Sequence, residues 1–276
     1  AGTSKQSLIN VNLKKLDTLM DLVGEIVITE SMVTAITQSE NAEKDSYEKT
    51  TSELRKLTNE LQEIVMSVRM VPVAEIFQKM NRIVRDMSKQ LDKDVDLILV
   101  GEQTELDKTI VDNIADPLMH LVRNAMDHGI EQKKDRLAAG KTEKGSLTLS
   151  ARNAGGEILI SVTDDGKGLD AKQIMEKAKS RDMLQKPESE YTEREIYSFI
   201  FQPGFSTKDT VTEFSGRGVG MDVVKNSLEK IGGIATIDSE LGKGTTITFK
   251  IPLTLAIISG MQLKVGDSEF TLPINN

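Results

Sequence analysis

Residues Pro117 to Glu131 read PLMHLVRNAMDHGIE and hold both histidines of the chain, His120 and His128, with Asn124 midway between them. On an α-helix, residues at i, i+4 and i+8 stack on one face. That face would carry His, Asn and His, while Leu118, Leu121, Val122, Ala125 and Met126 supply an apolar face for a core. A helix that packs one side and lines the other with imidazole and amide is built like the wall of a site. Taken alone, the same stretch also reads as a solvated polar face.

Three glycine-bearing turns lie downstream. The strand-like EILISVTDD runs into Asp164-Asp165-Gly166-Lys167-Gly168, a D-x-G-x-G pattern. A carboxylate at a strand end can accept from an exocyclic amine, and glycines without Cβ let a planar base lie against the backbone. An ordinary Asp-Gly turn is the plain alternative. Gly216-Arg217-Gly218-Val219-Gly220 opens a predicted helix, an arrangement whose N–H groups cradle phosphate. It is not a P-loop, which ends in Gly-Lys-Ser/Thr, nor a dinucleotide fingerprint, which follows a strand. Gly242-Lys243-Gly244-Thr245 separates two further strands, IATIDS and TTITFKIPL.

Upstream, Leu16, Leu19, Val23, Ile26 and Val33 follow steps of three and four, with Glu30 interrupting, over a helix from about Asn10 to Ile36. SENAEKDS breaks it, and Leu54, Leu57, Leu61, Ile64 and Val68 form a second stripe. Two amphipathic helices joined by a polar loop predict an antiparallel hairpin, which buries enough surface by pairing with a second copy into a four-helix bundle or, as the plainer alternative, by packing on the rest of its own chain. Pro72 is expected to end or kink the second helix, placing a linker near Ser67 to Val73. A helix over Ala74 to Leu91 and a strand at Val95 to Gly101 follow. A helix from Glu105 to His128 is expected to be interrupted before Pro117 and closed by Gly129. EQKKDRLAAGK reads as a charged surface helix or loop, and SLTLSARN and EILISVTDD as a hairpin about Ala154-Gly155-Gly156. A helix is predicted from Ala171 to Arg181. Asp182 to Gly216, polar and holding Pro187 and Pro203, reads as a mobile lid with one helical piece at Glu193 to Phe201. The tail from Leu255 to Ile274 predicts a hairpin about Gly266-Asp267.

The composition narrows the classes. The 276 residues are 38% hydrophobic and 28% charged, as in a globular protein. A net charge of −8 argues against the phosphate backbone of nucleic acid as a bulk partner. Without cysteine there is no thiolate metal site, and two histidines do not make a structural zinc centre. Aromatics at 4% and no Trp leave little for base-stacking platforms. No run reaches the roughly 20 apolar residues of a membrane span and no signal peptide opens the chain, so a cytoplasmic protein without membrane insertion is expected. LINVNLKKL begins abruptly and TLPINN stops within a strand-like pattern, as in a segment of a longer protein.

The order of motifs is more specific than any one of them. An Asn-bearing helix, a strand-end D-x-G-x-G, GFSTK, then G-x-G-x-G into a helix and G-x-G-T between strands resembles the N, G1, F and G2 boxes of the Bergerat ATP-binding fold of gyrase, Hsp90, histidine kinases and MutL. HLVRNAMDHGIE, GFSTKDTVTEFSGRGVGMDVVK and the hairpin LDTLMDLVGEIVI are similar to the chemotaxis histidine kinases of the CheA type. The resemblance implies a multidomain chain: a helical-hairpin dimerisation domain (1–70), an α/β two-layer sandwich that binds ATP (71–253), and a short β segment (254–276) that starts an SH3-like coupling domain. It also implies ATP and Mg²⁺ as cofactors. Asn124 would be the metal-holding residue with His120 beside it, His120 doubling as the base toward the attacking imidazole. Arg123, Asp127 and His128 would lie near the phosphates. Asp164 would accept from adenine, with Gly166, Gly168 and Thr245 shaping its pocket. Ser206, Thr207 and Lys208 would sit on the lid, and Gly216, Gly218 and Gly220 would face the phosphates. The implied partners are a second copy, a histidine phosphotransfer domain as substrate, and a coupling protein and chemoreceptors that place the chain at receptor arrays.

Two other readings stay open at this stage. A clamp ATPase of the gyrase, Hsp90 or MutL kind carries a Glu one turn before the Asn to activate water, where this chain has His120. A nucleotide-binding scaffold without catalysis is the other, since fold likeness does not fix activity. Both histidines fall in the Asn-bearing helix, so a histidine kinase of this sequence needs its substrate histidine on another domain or chain.

Overall fold

The structure is a computed structural model and describes residues 13–37, 44–205, 220–252, 260–266 and 268–273. The chain divides into two compact units, Ala1–Val71 with Glu105–Lys108, and Pro72–Thr104 with Thr109–Asn276.

In the first unit, helices α1 (Leu13–Thr37) and α2 (Lys44–Arg69) pack against each other. The stripe of α2 behaves as its spacing predicts, with Leu57 buried and Leu54, Leu61, Ile64 and Val68 half-buried. On α1 the packed face is Leu19, Leu22, Ile26, Thr29 and Val33. Val23, expected in that stripe, is exposed, together with Met20, Val27, Ile28 and Met32. The helix is apolar on two sides, so a three-four spacing can be drawn on either, and only packing decides between them. After Arg69 the chain leaves the helix as β1 (Met70–Pro72), which pairs with β3 (Glu105–Asp107). The helix expected from Glu105 therefore starts later. Leu106 and Asp107 are buried in the strand, and the Asp107 carboxylate meets the Arg69 guanidinium at 3.3 Å.

In the second unit, α3 (Ala74–Leu91) buries Ile76, Phe77, Met80 and Val84. Five strands follow in the order β2-β4-β5-β7-β6: β2 (Val95–Val100), β4 (Gly145–Ala154), β5 (Glu157–Asp164), β7 (Gly244–Pro252) and β6 (Ile234–Glu240). β2 and β4 are parallel, with a helical crossover between them, and the other pairs are antiparallel. Leu147, Leu149, Ala151, Ile158, Ile160, Val162, Phe249 and Ile251 alternate onto one face and are buried. Thr148, Ser150, Ser161, Thr163, Thr246 and Thr248 occupy the other face, half-buried. Helices on a single face of the sheet give the two-layer α/β sandwich that the motif order implies. β4 and β5 join through Gly155 and Gly156, both at positive φ (60° and 86°), as a two-residue hairpin with right-twisting strands requires.

Helix α4 (Lys108–Asn124) runs unbroken through Pro117, where an interruption was expected. The missing N–H costs about 3 kcal/mol in a helix interior. Here the ring is buried on the same helix as the buried Ile114, Leu118 and Leu121. Beyond it come α5 (Lys133–Ala138), α6 (Ala171–Ser180), α7 (Glu193–Ser198) and α8 (Met221–Glu229). Residues 182–205, read from sequence as part of a mobile lid, are packed instead. Tyr197, Phe199, Phe201 and Phe205 form a second core with Ile174, Ala178 and Ile237, and Thr192 and Glu195 close a capping box on α7. The lid residues after Phe205 lie outside the described residues. The predicted C-terminal hairpin is β8 (Gly260–Val265) and β9 (Ser268–Pro273), antiparallel about Gly266.

Candidate functional site

His120 and Asn124 occupy successive turns of α4 on its half-buried side, opposite the buried Leu118, Leu121 and Val122. Beyond Asn124 the helix loosens. Ala125–Gly129 is a π-helical turn, closed by the Ile130 N–H donating to the Ala125 carbonyl at 2.8 Å. One residue extra per turn breaks the 3.6-residue register. The expected stack of three is therefore a pair, His120 and Asn124. His128 belongs to the π turn, with its Nε2 3.1 Å from Asp127 Oδ2, and Arg123, Asp127 and His128 are exposed.

The π turn is held from below by a residue that the sequence does not single out. Lys93 is 7% exposed, and its Nζ donates to the carbonyls of Met126, Asp127 and Ile130 at 2.7, 3.0 and 2.8 Å. An ammonium has three donors, and each finds an orphan carbonyl of the helix end. Burial pulls the Lys93 pKa down, while the nearby Asp127 opposes that shift.

Asp164 ends β5 directly beneath this turn, 8% exposed. Its carboxylate accepts from the Gly166 N–H at 2.9 Å, and the Thr245 backbone, opposite it in the sheet, also favours its charged form. Gly129 is needed here for space: a Cβ on it would stand 3.1 Å from the Asp164 carboxyl. Gly166 packs its bare Cα against the Gly129 carbonyl, which also accepts from the Lys167 N–H at 3.0 Å. Gly168 sits at φ 69° against the Glu240 backbone. The D-x-G-x-G glycines thus serve chain-to-chain contact between the π turn, the β5 end and β6. Thr245 supports Asp164 through its backbone, and its hydroxyl lies 2.9 Å from Ser239 Oγ, which accepts from the Leu169 N–H at 2.9 Å.

A second buried cation locks the same turn. Arg136, placed by the sequence in a surface segment, is 1% exposed. Its guanidinium meets both Asp165 oxygens (3.0 and 2.7 Å), Glu131 (3.1 Å) and the carbonyls of Thr142 and Lys144 (2.9 and 3.2 Å). Lys141 Nζ adds bonds to Glu131 at 2.8 Å and to the carbonyls of Asp165 and Gly166 at 2.8 and 2.6 Å.

The start of α8 faces the α4 pair. Gly220 is its N-cap, and Met221 Sδ accepts from Asn124 Nδ2 at 3.2 Å. Asp222 acts electrostatically on His120, whose pKa is lowered first by burial and then by Arg123, with Asp222 opposing. That shift favours the neutral imidazole, a base with a lone pair. The structure brings His120, Asn124, Asp164, Gly166, Gly168, Gly220 and Thr245 into one unit. Ser206, Thr207, Lys208, Gly216 and Gly218 lie outside the described residues.

Burial pushes the Asp164 pKa up to about 6, against the two backbone N–H bonds that favour the charged form. A folded-state value above the ordinary 3.8 gives stability that is full below that pH and is lost as pH rises through about 6. Asp164→Asn should therefore stabilise the free protein by about 1–2 kcal/mol at pH 7.5, with no gain near pH 4. Urea unfolding at both pH values measures it, and a loss of stability that grows with pH would refute the assignment. A buried carboxylate with its pKa shifted this way is a candidate ligand group.

Comparison with known proteins agrees with this arrangement. Residues 113–255 match the family described as histidine kinase-, DNA gyrase B-, and HSP90-like ATPase, and residues 6–68 match the signal transducing histidine kinase homodimeric domain. The chain is 46% identical over 278 residues to the chemotaxis protein CheA of Klebsiella aerogenes and 48% identical over 277 residues to that of Salmonella typhimurium. It is 44% identical over 279 residues to the sensor histidine kinase CheAY of Helicobacter pylori. These alignments cover 100%, 100% and 98% of the chain but 42%, 41% and 35% of the relatives, so the chain spans about two fifths or less of their length. With its strand-end Asp164 under the Asn124 helix and more than half its length matched, the chain belongs to the histidine kinase-, DNA gyrase B- and HSP90-like ATPase family.

Proposed function

We propose that this chain is the dimerisation and ATP-binding core of a chemotaxis histidine kinase, divided at about residues 70 and 253, which phosphorylates a histidine outside itself. The observation that carries the reading is the His120 imidazole, half-buried one turn before Asn124 on the same face of α4. A clamp ATPase needs a carboxylate at that place to activate water. An imidazole suits a nitrogen nucleophile instead, because it can take the proton of the incoming histidine as its other nitrogen attacks. The N–P bond forms, the bond to the β-phosphate oxygen breaks, and ADP leaves.

The residues fit the nucleotide and metal. Asp164 is a buried acceptor whose remaining lone pairs suit an adenine amino group, and the Asn124 carbonyl oxygen suits a hard cation. When bound, Mg²⁺ neutralises charge on the phosphates. The Gly220 end of α8 would offer N–H groups to those phosphates, while the roles of Ser206, Thr207, Lys208, Gly216 and Gly218 rest on the family resemblance alone. Arg123, Asp127 and His128 border the same space. The exposed apolar side of α1 fits a second copy, which would complete a four-helix bundle. Among the described residues no helix is long and apolar enough to cross a membrane; a coupling protein and chemoreceptors are the partners that the family resemblance implies.

The chain holds two histidines, both on α4 and its π turn, so the acceptor is supplied from elsewhere. Incubation with γ-labelled ATP and Mg²⁺, with and without an added histidine phosphotransfer domain, tests this. The expected result is acid-labile, base-stable label on the added domain only. Phosphate release without transfer would make the chain a clamp ATPase, and nucleotide binding with neither would leave a scaffold.

A further inference from the structure

The Asn124 carboxamide has two chemically opposite ends, and something must decide which one faces the ligand side. Its Nδ2 donates to Met221 Sδ at 3.2 Å. A thioether accepts weakly and has nothing to donate, so it pairs with the amino end and not with the carbonyl end. Met221 is itself held. It is the first residue of α8 and packs against the core of Phe199, Phe201 and Phe205. Its side chain thus packs against that core while its sulfur meets α4 at Asn124. Sulfur beside aromatic rings is a favourable contact in its own right.

We infer that Met221 is a positioning residue, which holds the Asn124 amide with Nδ2 toward α8 and offers Oδ1 to a divalent cation. This rests on the reading of Asn124 as a cation ligand given above. A flipped amide would present an NH₂ group, which has no lone pair to give, and the site would lose a ligand. Groups that orient a metal ligand without touching the metal commonly change metal affinity ten- to a hundredfold when removed. Leucine matches methionine in volume and packs on the same aromatic wall but accepts nothing. Glutamine has a similar reach and offers a carbonyl oxygen where the sulfur was.

The test is Mg²⁺ titration of the full chain, read by ATP binding in calorimetry, for wild type, Met221→Leu, Met221→Gln and Asn124→Ala. Met221→Leu should raise the Mg²⁺ half-saturation about tenfold, with ATP affinity in excess chelator unchanged, and Met221→Gln should return it to within about threefold of wild type. Equal Mg²⁺ curves for wild type and Met221→Leu would overturn the inference while leaving Asn124 as a ligand. Equal impairment in both Met221 variants would also overturn it, since that pattern reports packing alone. A wild-type curve that Asn124→Ala does not move would remove Asn124 from the cation, and the role of Met221 with it.

Discussion

Asn124→Asp should lower Mg²⁺-dependent transfer to a phosphotransfer domain by about a thousandfold or more, on the order of 4 kcal/mol of barrier, while adenine binding survives. The substitution changes no volume, so α4 and its buried face of Leu118, Leu121 and Val122 are untouched. Chemically it changes two things at once. The Nδ2–H bond to Met221 at 3.2 Å is lost, because a carboxylate has no donor for the sulfur. A full negative charge is also set where the triphosphate must lie, one turn from the His120 imidazole. That carboxylate would raise the pKa of His120 and so work against its role as a base near pH 7. Asp164, which accepts from the Gly166 N–H, and the pocket proposed for adenine are untouched. Transfer rates under saturating ATP, set beside binding of ATP in chelator, separate the two effects. A transfer rate within tenfold of wild type would take Asn124 out of the chemistry.

What could be read from the sequence divides by the distance over which each contact acts. His120 and Asn124 are four residues apart on one helix, and their shared face follows from helical geometry. The strand pair around Gly155 and Gly156 is equally local. His128 was misread because a π turn is invisible to a 3.6-residue template, and its cause lies far away, in the Lys93 ammonium that collects the carbonyls of Met126, Asp127 and Ile130. Lys93 itself stands in a run of alternating charges, DKD, which looks like any solvated turn. Residues 182–205 read as lid because the stretch is polar, holds Pro187 and Pro203 and shows only one helical piece. Tyr191, Phe199 and Phe205 find one another through a fold of the chain, with ring centroids 5.4 and 6.4 Å apart. The D-x-G-x-G glycines were legible as a motif but not for their physical reason, since the Gly129 and Glu240 backbones that crowd them come from two other elements.

Arg136 is the largest case of this kind, and it carries the largest expected effect on stability. In a sequence of Glu, Lys and Asp it looks like one more surface charge, yet it is 1% exposed and bridges Glu131, Asp165 and two carbonyls. Removing Arg136 leaves Asp165 without its cation, the Thr142 and Lys144 carbonyls without their donor and Glu131 with Lys141 alone, which costs about 3 kcal/mol. Arg136→Met keeps most of the aliphatic stem and isolates the loss of charge, and should lower stability by that amount at pH 7.5. Arg136→Lys should recover only part, because an ammonium cannot span both Asp165 oxygens and Glu131 together. The pH dependence has a definite sign. Burial pushes the Glu131 carboxyl up, but the Lys141 hydrogen bond, its own backbone bond and the charges of Lys141 and Arg136 outweigh that and hold it below its ordinary value. A depressed carboxylate gives stability that is present above its unfolded pKa and is lost as pH falls through the folded one. Without Arg136 that contribution shrinks, so the deficit of the variant should be largest at neutral pH and smaller near pH 4. Denaturant midpoints at the two pH values decide the matter: a deficit under about 1 kcal/mol, or one that does not change with pH, would mean that Lys141 alone holds the turn. A deficit of the expected size would tie the adenine end of the site to α5, since Asp165 and Gly166, which Arg136 and Lys141 pin, directly follow Asp164.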